Sequence, residues 1–215
     1  EQVFTSLRRD PFLPPVPESY QRLRDGDVLR IGERDWRVVI GEGHSPEHVC
    51  LYHSEGTEHL LIGGDQLLPR ITSNVLVTPV EPEADPLKLW LRSLDRLDTL
   101  AEDTLVLPSH QSVFQGLHAR VQELRAHHQQ QFVLLRTALH ERGQATAWEL
   151  MQVQFPKRRH PVDDLMAIGE TLAHLAWLRN QGQVQRVLDA DGVYRFHLTI
   201  TPSADVEALS ETYHA

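Results

Sequence analysis

Gly43-His44-Ser45-Pro46-Glu47-His48 sets two imidazoles four residues apart, directly after the apolar run from Trp36 to Ile40. Two later stretches repeat that arrangement. Gly63-Gly64-Asp65 follows the run from His59 to Ile62, and Pro108-Ser109-His110 follows Thr104 to Leu107. Each places a His or an Asp just beyond a strand-like segment, where a β scaffold presents functional side chains on its loops. Gly43 and Gly64 suit a backbone that turns sharply beside a ligand, the first by adopting positive φ and the second by permitting close approach. Imidazole nitrogen and carboxylate oxygen together are ligands for Zn(II), Fe(II) or Mn(II). His44, Asp65 and His110 are therefore the candidate metal ligands.

Around these loops the chain alternates between short strands and one helix. Val28 to Ile31 and Trp36 to Ile40 are predicted to pair through Gly32-Glu33, and His48 to His53 with His59 to Ile62 across Ser54-Glu55-Gly56. Asp85-Pro86 opens a helix, with Asp as N-cap and Pro at the first helical position, and Leu87, Trp90, Leu91, Leu94 and Leu97 mark its packing stripe. Thr104 to Leu107 then returns as a strand. Strand, helix and strand with chemistry at the final strand's end predict an α/β layer architecture.

From His118 the texture becomes helical. Helices are predicted from His118 to about Gly143, from Ala145 to Val153 and from Val162 to Asn180, followed by a hairpin of Val184 to Leu188 with Val193 to Leu198 across Asp189-Ala190-Asp191-Gly192. Three helices and a hairpin describe a winged-helix-like α+β unit. Charge supports a boundary near Gln115-Gly116: residues 1–117 carry 11 Lys and Arg against 19 Asp and Glu, whereas 118–198 carry 10 against 8. The domains predicted are thus 1–117, 118–198 and a tail, 199–215.

The overall charge of -9 disfavours a nucleic-acid partner, because a phosphate backbone is bound chiefly through excess Lys and Arg. Lys157-Arg158-Arg159-His160 is the one basic run, and Asp163 and Asp164 directly after it would oppose a phosphate. No stretch is apolar for long enough to span a bilayer, so a soluble, cytoplasmic protein is expected. Cys50 is the only cysteine, which excludes an internal disulfide and reads as a core thiol. His127 and His128, adjacent on a helix, cannot share one face and are expected to be solvated. The remaining histidines show no paired ligand spacing.

The three motifs, in this order and spacing, resemble the later motifs of metallo-β-lactamase-fold hydrolases, and in particular the glyoxalase II-like branch. The resemblance covers about residues 20 to 115. Ile71-Thr72-Ser73-Asn74-Val75 is similar to members that carry a C-terminal winged helix, which extends the match to about Leu198. The resemblance implies an αββα sandwich holding two divalent metal ions, with Zn the first expectation and Fe or Mn the alternatives. It implies that His44 binds one metal, that Asp65 bridges the two and is catalytic, and that His110 binds the other. His48 would play a structural or supporting part. The implied reaction is attack of a metal-bridging hydroxide on a thioester or related ester. Glu47 departs from the Gly common in glyoxalase II itself, so the resemblance does not fix that substrate.

The family's first signature, His-x-His-x-Asp-His, supplies most of the remaining ligands and has no counterpart in these 215 residues. The expectation is therefore that the chain is the C-terminal portion of a longer protein, with the N-terminal half as its missing partner. A half-sandwich would expose apolar sheet surface, which predicts self-association. Two other function classes stand beside the hydrolase at this point: a nucleic-acid-processing relative or winged-helix binder, and a non-catalytic module or inactive fragment.

Overall fold

Alternation in the first half of the chain produces a mixed sheet, described in a computed structural model covering residues 19–157 and 161–199. The Pro-rich segment 10–17, residues 158–160 of the basic run and the tail beyond Thr199 lie outside the described residues. Strands β1 (Val28–Ile31), β2 (Arg34–Gly41), β3 (His48–Glu55), β4 (Glu58–Gly64) and β5 (Leu105–Pro108) form one sheet in sequential order. The first four pair antiparallel, and β5 lies parallel to β4 with Ile62 opposite Leu107. This parallel pair requires a crossover, supplied by helix α1 (Pro86–Leu97). Asp85 caps α1 by accepting from the Lys88 N–H, and Leu87, Trp90, Leu94 and Leu97 are buried beneath the sheet. Each fully buried side chain of that stripe contributes on the order of 2–3 kcal/mol.

Helix α2 (Leu117–Arg142) follows Gly116, whose φ of 85° turns the chain into the helix. Strand β6 (Ala145–Thr146), helices α3 (Ala147–Gln154) and α4 (Pro161–Asn180), and strands β7 (Val184–Leu188) and β8 (Tyr194–Leu198) complete the molecule. The second sheet runs β6-β8-β7. Thr146 and Glu149 form a reciprocal capping box at the start of α3. The core is continuous across the two parts: Leu61, Trp90 and Val106 of the first share one buried cluster with Val121, Leu135, Trp177 and Phe196.

The helix-covered face of the first sheet carries Cys50, Leu61 and Val106. Cys50 is fully buried, as expected of a core thiol, and burial pushes its pKa up to about 12. On the opposite face Val49 and Ile62 remain 37% and 38% exposed, with Leu51, Leu60, Leu105 and Leu107 half-buried around them. No helix among the described residues is long and apolar enough to cross a membrane.

His128 corrects an expectation. It is 1% exposed, with its Nδ1 3.1 Å from Nε2 of His174, which is itself fully buried. Adjacency to His127 does put the two rings on different faces, but the face holding His128 packs against α4, and His127 is only half-buried. His174 Nδ1 donates to the Glu170 carbonyl, so its Nε2 accepts from His128 Nδ1 and both rings are neutral. Burial lowers their pKa values to about 4 for His174 and about 2 for His128.

Candidate metal centre

The three motif loops emerge at one end of the first sheet. His44 lies just past β2, Asp65 just past β4 and His110 just past β5, and the parallel pairing of β4 with β5 brings the last two side by side. The His44 loop is fixed by α1: Arg96 donates to the Ile40 carbonyl and to the Glu42 carboxylate, and the Glu42 N–H donates to Ser93 Oγ. Gly43, at φ 99°, lies so close to α1 that a Cβ there would sit 2.6 Å from Trp90 Cβ and 2.7 Å from the Pro86 carbonyl oxygen. The loop after Asp65 is fixed by α2, where Arg120 donates to the carbonyls of Leu68 and Ile71 at 2.7 and 2.9 Å. Ser73 Oγ donates to the Asp65 carbonyl.

His44 Nδ1 lies 2.8 Å from the Asn74 carbonyl oxygen and must donate to it, which leaves Nε2 as the lone-pair nitrogen. That nitrogen is 3.8 Å from Asp65 Oδ2, and His110 Nε2 is 3.3 Å from Asp65 Oδ1. Asp65 Oδ1 is buried and has no hydrogen-bond donor, although its side chain as a whole is 32% exposed. The short distance to His110 is thus a close approach without hydrogen-bond geometry. A buried carboxylate oxygen without a donor suits a cation as its partner. Nitrogen-to-oxygen separations of this size are those a shared divalent ion spans when each ligand is about 2.1 Å away. The donor set fits a borderline metal, but it is small: among the described residues no group of three or more His, Cys, Asp or Glu is gathered closely enough to hold an ion.

His48 does not join the trio. Its ring is 6.3 Å from that of His44, packed against Gly64, where a Cβ would collide with it. Burial, more than any charge, holds this imidazole below its ordinary pKa, so it is neutral at pH 7. Asn74 is the contributor that residue type alone does not reveal, because it acts through its carbonyl. Its position inside the quoted Ile71 to Val75 stretch is the one signal for it.

Glu47 adopts φ 142°, a region that glycine enters freely and other residues enter at a cost of about 1–3 kcal/mol. Its carboxylate pairs with Arg22, an exposed ion pair of small value. Glu47→Gly is therefore expected to raise Tm by about 2–4 °C, whereas Glu47→Ala keeps the strained φ and gains nothing. Equal Tm values for the two variants in a thermal melt would show that the backbone there is relaxed.

A family model described as "Metallo-beta-lactamase superfamily" matches residues 2–110, just over half of the chain. The chain belongs to that superfamily. A second family model, "Metallo-beta-lactamase-like, C-terminal domain", matches residues 134–199. Among solved structures, a β-lactamase domain protein from Burkholderia ambifaria is 42% identical with a TM-score of 0.81, over 92% of this chain and 60% of that one. A metallo-β-lactamase family protein from Thermus thermophilus is 35% identical with a TM-score of 0.71, over 92% and 59%. Among curated relatives, a hydroxyacylglutathione hydrolase from Hydrogenovibrio crunogenus is 27% identical over 118 residues, 55% of this chain and 38% of the relative. The chain spans about half or less of the length of the curated relatives it matches. The glyoxalase II-like resemblance of the motifs thus has a counterpart in named relatives at low identity.

Proposed function

We propose that the complete protein is a metal-dependent hydrolase acting on a thioester or related ester, and that this chain supplies His44, Asp65 and His110 to a site for two divalent ions. The observation that carries the proposal is the Asp65 carboxylate set between two ring nitrogens, one facing each oxygen, with its buried Oδ1 left without a donor. The hydroxyacylglutathione hydrolases among the relatives favour a thioester, and membership of the superfamily favours a hydrolase. Zn is the first candidate, with Fe and Mn compatible with the same donors. When bound, such ions lower the pKa of water towards neutrality and stabilise an oxyanion. The chain's own residues do the positioning. Asn74 fixes the His44 tautomer, Asp65 presents one carboxylate oxygen towards each histidine, and Arg96 and Arg120 hold the two loops in register.

The half-open sheet face around Val49 and Ile62 is then the seat of the N-terminal half of the same protein, or of a second copy when that half is missing. The second unit, with its order of helix, strand, helix, helix, strand and strand, is read as winged-helix-like and serves to cap the site. Elemental analysis of the complete protein is expected to find two divalent ions per chain, together with hydrolysis of an acyl thioester that a chelator abolishes and added metal restores. Metal-free protein with undiminished hydrolysis would overturn the proposal.

A further inference from the structure

Helix α4 carries a glycine near its middle, Gly169, although glycine is a poorer helix former than any ordinary residue but proline. The room it leaves is taken by another stretch of chain. A Cβ at this position would lie 3.2 Å from Leu76 Cβ and 3.3 Å from the Val77 carbonyl oxygen, and the Gly169 carbonyl accepts from the Val77 N–H at 3.1 Å. Residues 72–77 belong to no helix or strand. Among the described residues, the bond from Val77 is the only one that joins their backbone to the backbone of another element. The course of this irregular segment is therefore set largely by α4.

The same segment holds Asn74, whose carbonyl takes the His44 Nδ1–H at 2.8 Å. Asn74 touches α4 as well, its side-chain amide lying 3.8 Å from Met166 Sδ. Met166 and Gly169 are three residues apart and share one face of the helix, so residues 74 and 77 are held at two points one turn apart. α4 is itself gripped from elsewhere: His174 meets His128, Trp177 stacks on Phe132 of α2 with ring centroids 4.1 Å apart, and Asn180 donates to the Asp85 carboxylate at 2.7 Å. A helix anchored in this way passes its position on to whatever lies against it. Core packing alone would account for the contact with Leu76, but it does not require an N–H to reach a carbonyl inside a helix.

We propose that Gly169 is a positioning residue for the metal centre: by admitting the Leu76 and Val77 backbone against α4, it holds the Asn74 carbonyl on His44 Nδ1 and keeps Nε2 free as the ligand nitrogen. The inference rests on the reading of His44 as a metal ligand. It makes the C-terminal unit a support of that ligand as well as a cap. A partner that fixes the second nitrogen of a ligand histidine sets its tautomer and ring orientation, and loss of such a partner typically weakens metal binding about 10- to 100-fold.

Long-range ¹⁵N–¹H correlation spectra of the metal-free full chain at about pH 8, above the ordinary imidazole range, read each tautomer directly. His44 and His174 are both expected in the Nδ1–H form, the latter because it donates to the Glu170 carbonyl within α4. Gly169→Ala and Gly169→Leu are expected to move His44 progressively towards the Nε2–H form, while an unchanged His174 shows that α4 still folds. In the complete protein, Gly169→Leu is expected to weaken one of two zinc ions at least about tenfold in competition with a chelator. A parent His44 in the Nε2–H form, or a His44 unmoved in Gly169→Leu beside an intact His174, would overturn the assignment. Where Gly169→Leu disturbs His174 too, Gly169→Ala decides by the same comparison, and loss of both tautomers in that variant would show a role in folding alone. A parent that binds no zinc overturns the hydrolase proposal and this one with it, whereas unmoved tautomers or unchanged zinc affinity in a parent that binds zinc overturn this one only.

Discussion

Replacing Asp65 by Ala in the complete protein is expected to lower hydrolysis at least about a thousandfold, a loss of about 4 kcal/mol of transition-state stabilisation. The carboxylate presents Oδ1 to His110 and Oδ2 to His44, so its removal disconnects the two halves of the trio at once. Bound metal is expected to fall by one ion or more. The metal-free protein should respond in the opposite sense. Its buried Oδ1 lacks a donor, and removing an unsatisfied buried oxygen relieves about 1 kcal/mol. The variant should therefore lose activity and metal while its metal-free form melts slightly higher. Unchanged metal content by elemental analysis would place the bridging role elsewhere.

The pH dependence of stability should be dominated by three buried groups of α2 and α4. His128 and His174 have folded pKa values of about 2 and about 4 against an ordinary 6.5, so the stability they permit is present above pH 6.5 and is lost as pH falls below it. At pH 5 each costs about 2 kcal/mol. Glu170 acts the other way. Its folded pKa of about 7 stands above the ordinary 4.5, so stability is lost as pH rises from 4.5 through 7, by about 3 kcal/mol at the top. Between pH 7 and 5 Glu170 returns about 2 kcal/mol while the two histidines together cost about 4, so the opposed slopes offset only in part and stability falls gently. Below pH 4.5 Glu170 has nothing further to give, and the histidines alone drive a steep fall. Glu170→Gln should therefore stabilise the protein by about 3 kcal/mol at pH 8, not at all at pH 4.5, and should make the decline begin at pH 6.5. Denaturant melts across that range check all three statements. A gain that did not vary with pH would mean that Glu170 titrates normally.

The elements of this fold are legible in the sequence wherever the signal is local. Alternation in Val28 to Ile31 and His48 to His53, the Asp85-Pro86 cap and the Asp189 to Gly192 turn each act within a few residues, and the strands and helices lie within a residue or two of where they are expected. The meeting of the three candidate residues at one sheet end is legible for a similar reason, since each lies within three residues of the end of its strand. Contacts between distant segments are not legible. His128 and His174 are 46 residues apart and meet only because α2 packs against α4, and nothing beside either histidine marks it as buried. Asn74 escapes notice because its useful atom is a carbonyl, which every residue possesses. The charge shift near Gln115-Gly116 is real in composition, yet the apolar core runs through it, because Leu117, Val121 and Leu124 belong to the same buried cluster as Trp90.

The parallel pairing of β4 with β5 also bears on the order in which the protein folds. β1 with β2 and β3 with β4 join through two-residue turns, β2 with β3 through the six-residue loop that holds His44, and all three connections are short enough to pair early. β5 can add to the sheet only after the whole segment between Gly64 and Leu105 has closed and α1 has docked, a long-range step that is intrinsically slow. Asp65 and His110 lie on the two sides of that closure. His44 and Asp65 can therefore approach in a hairpin intermediate, while His110 arrives only with the last strand. A cation bound at the proposed site would favour this late state by mass action, so that metal added during refolding would act on the last closure of the first sheet and not on its hairpins.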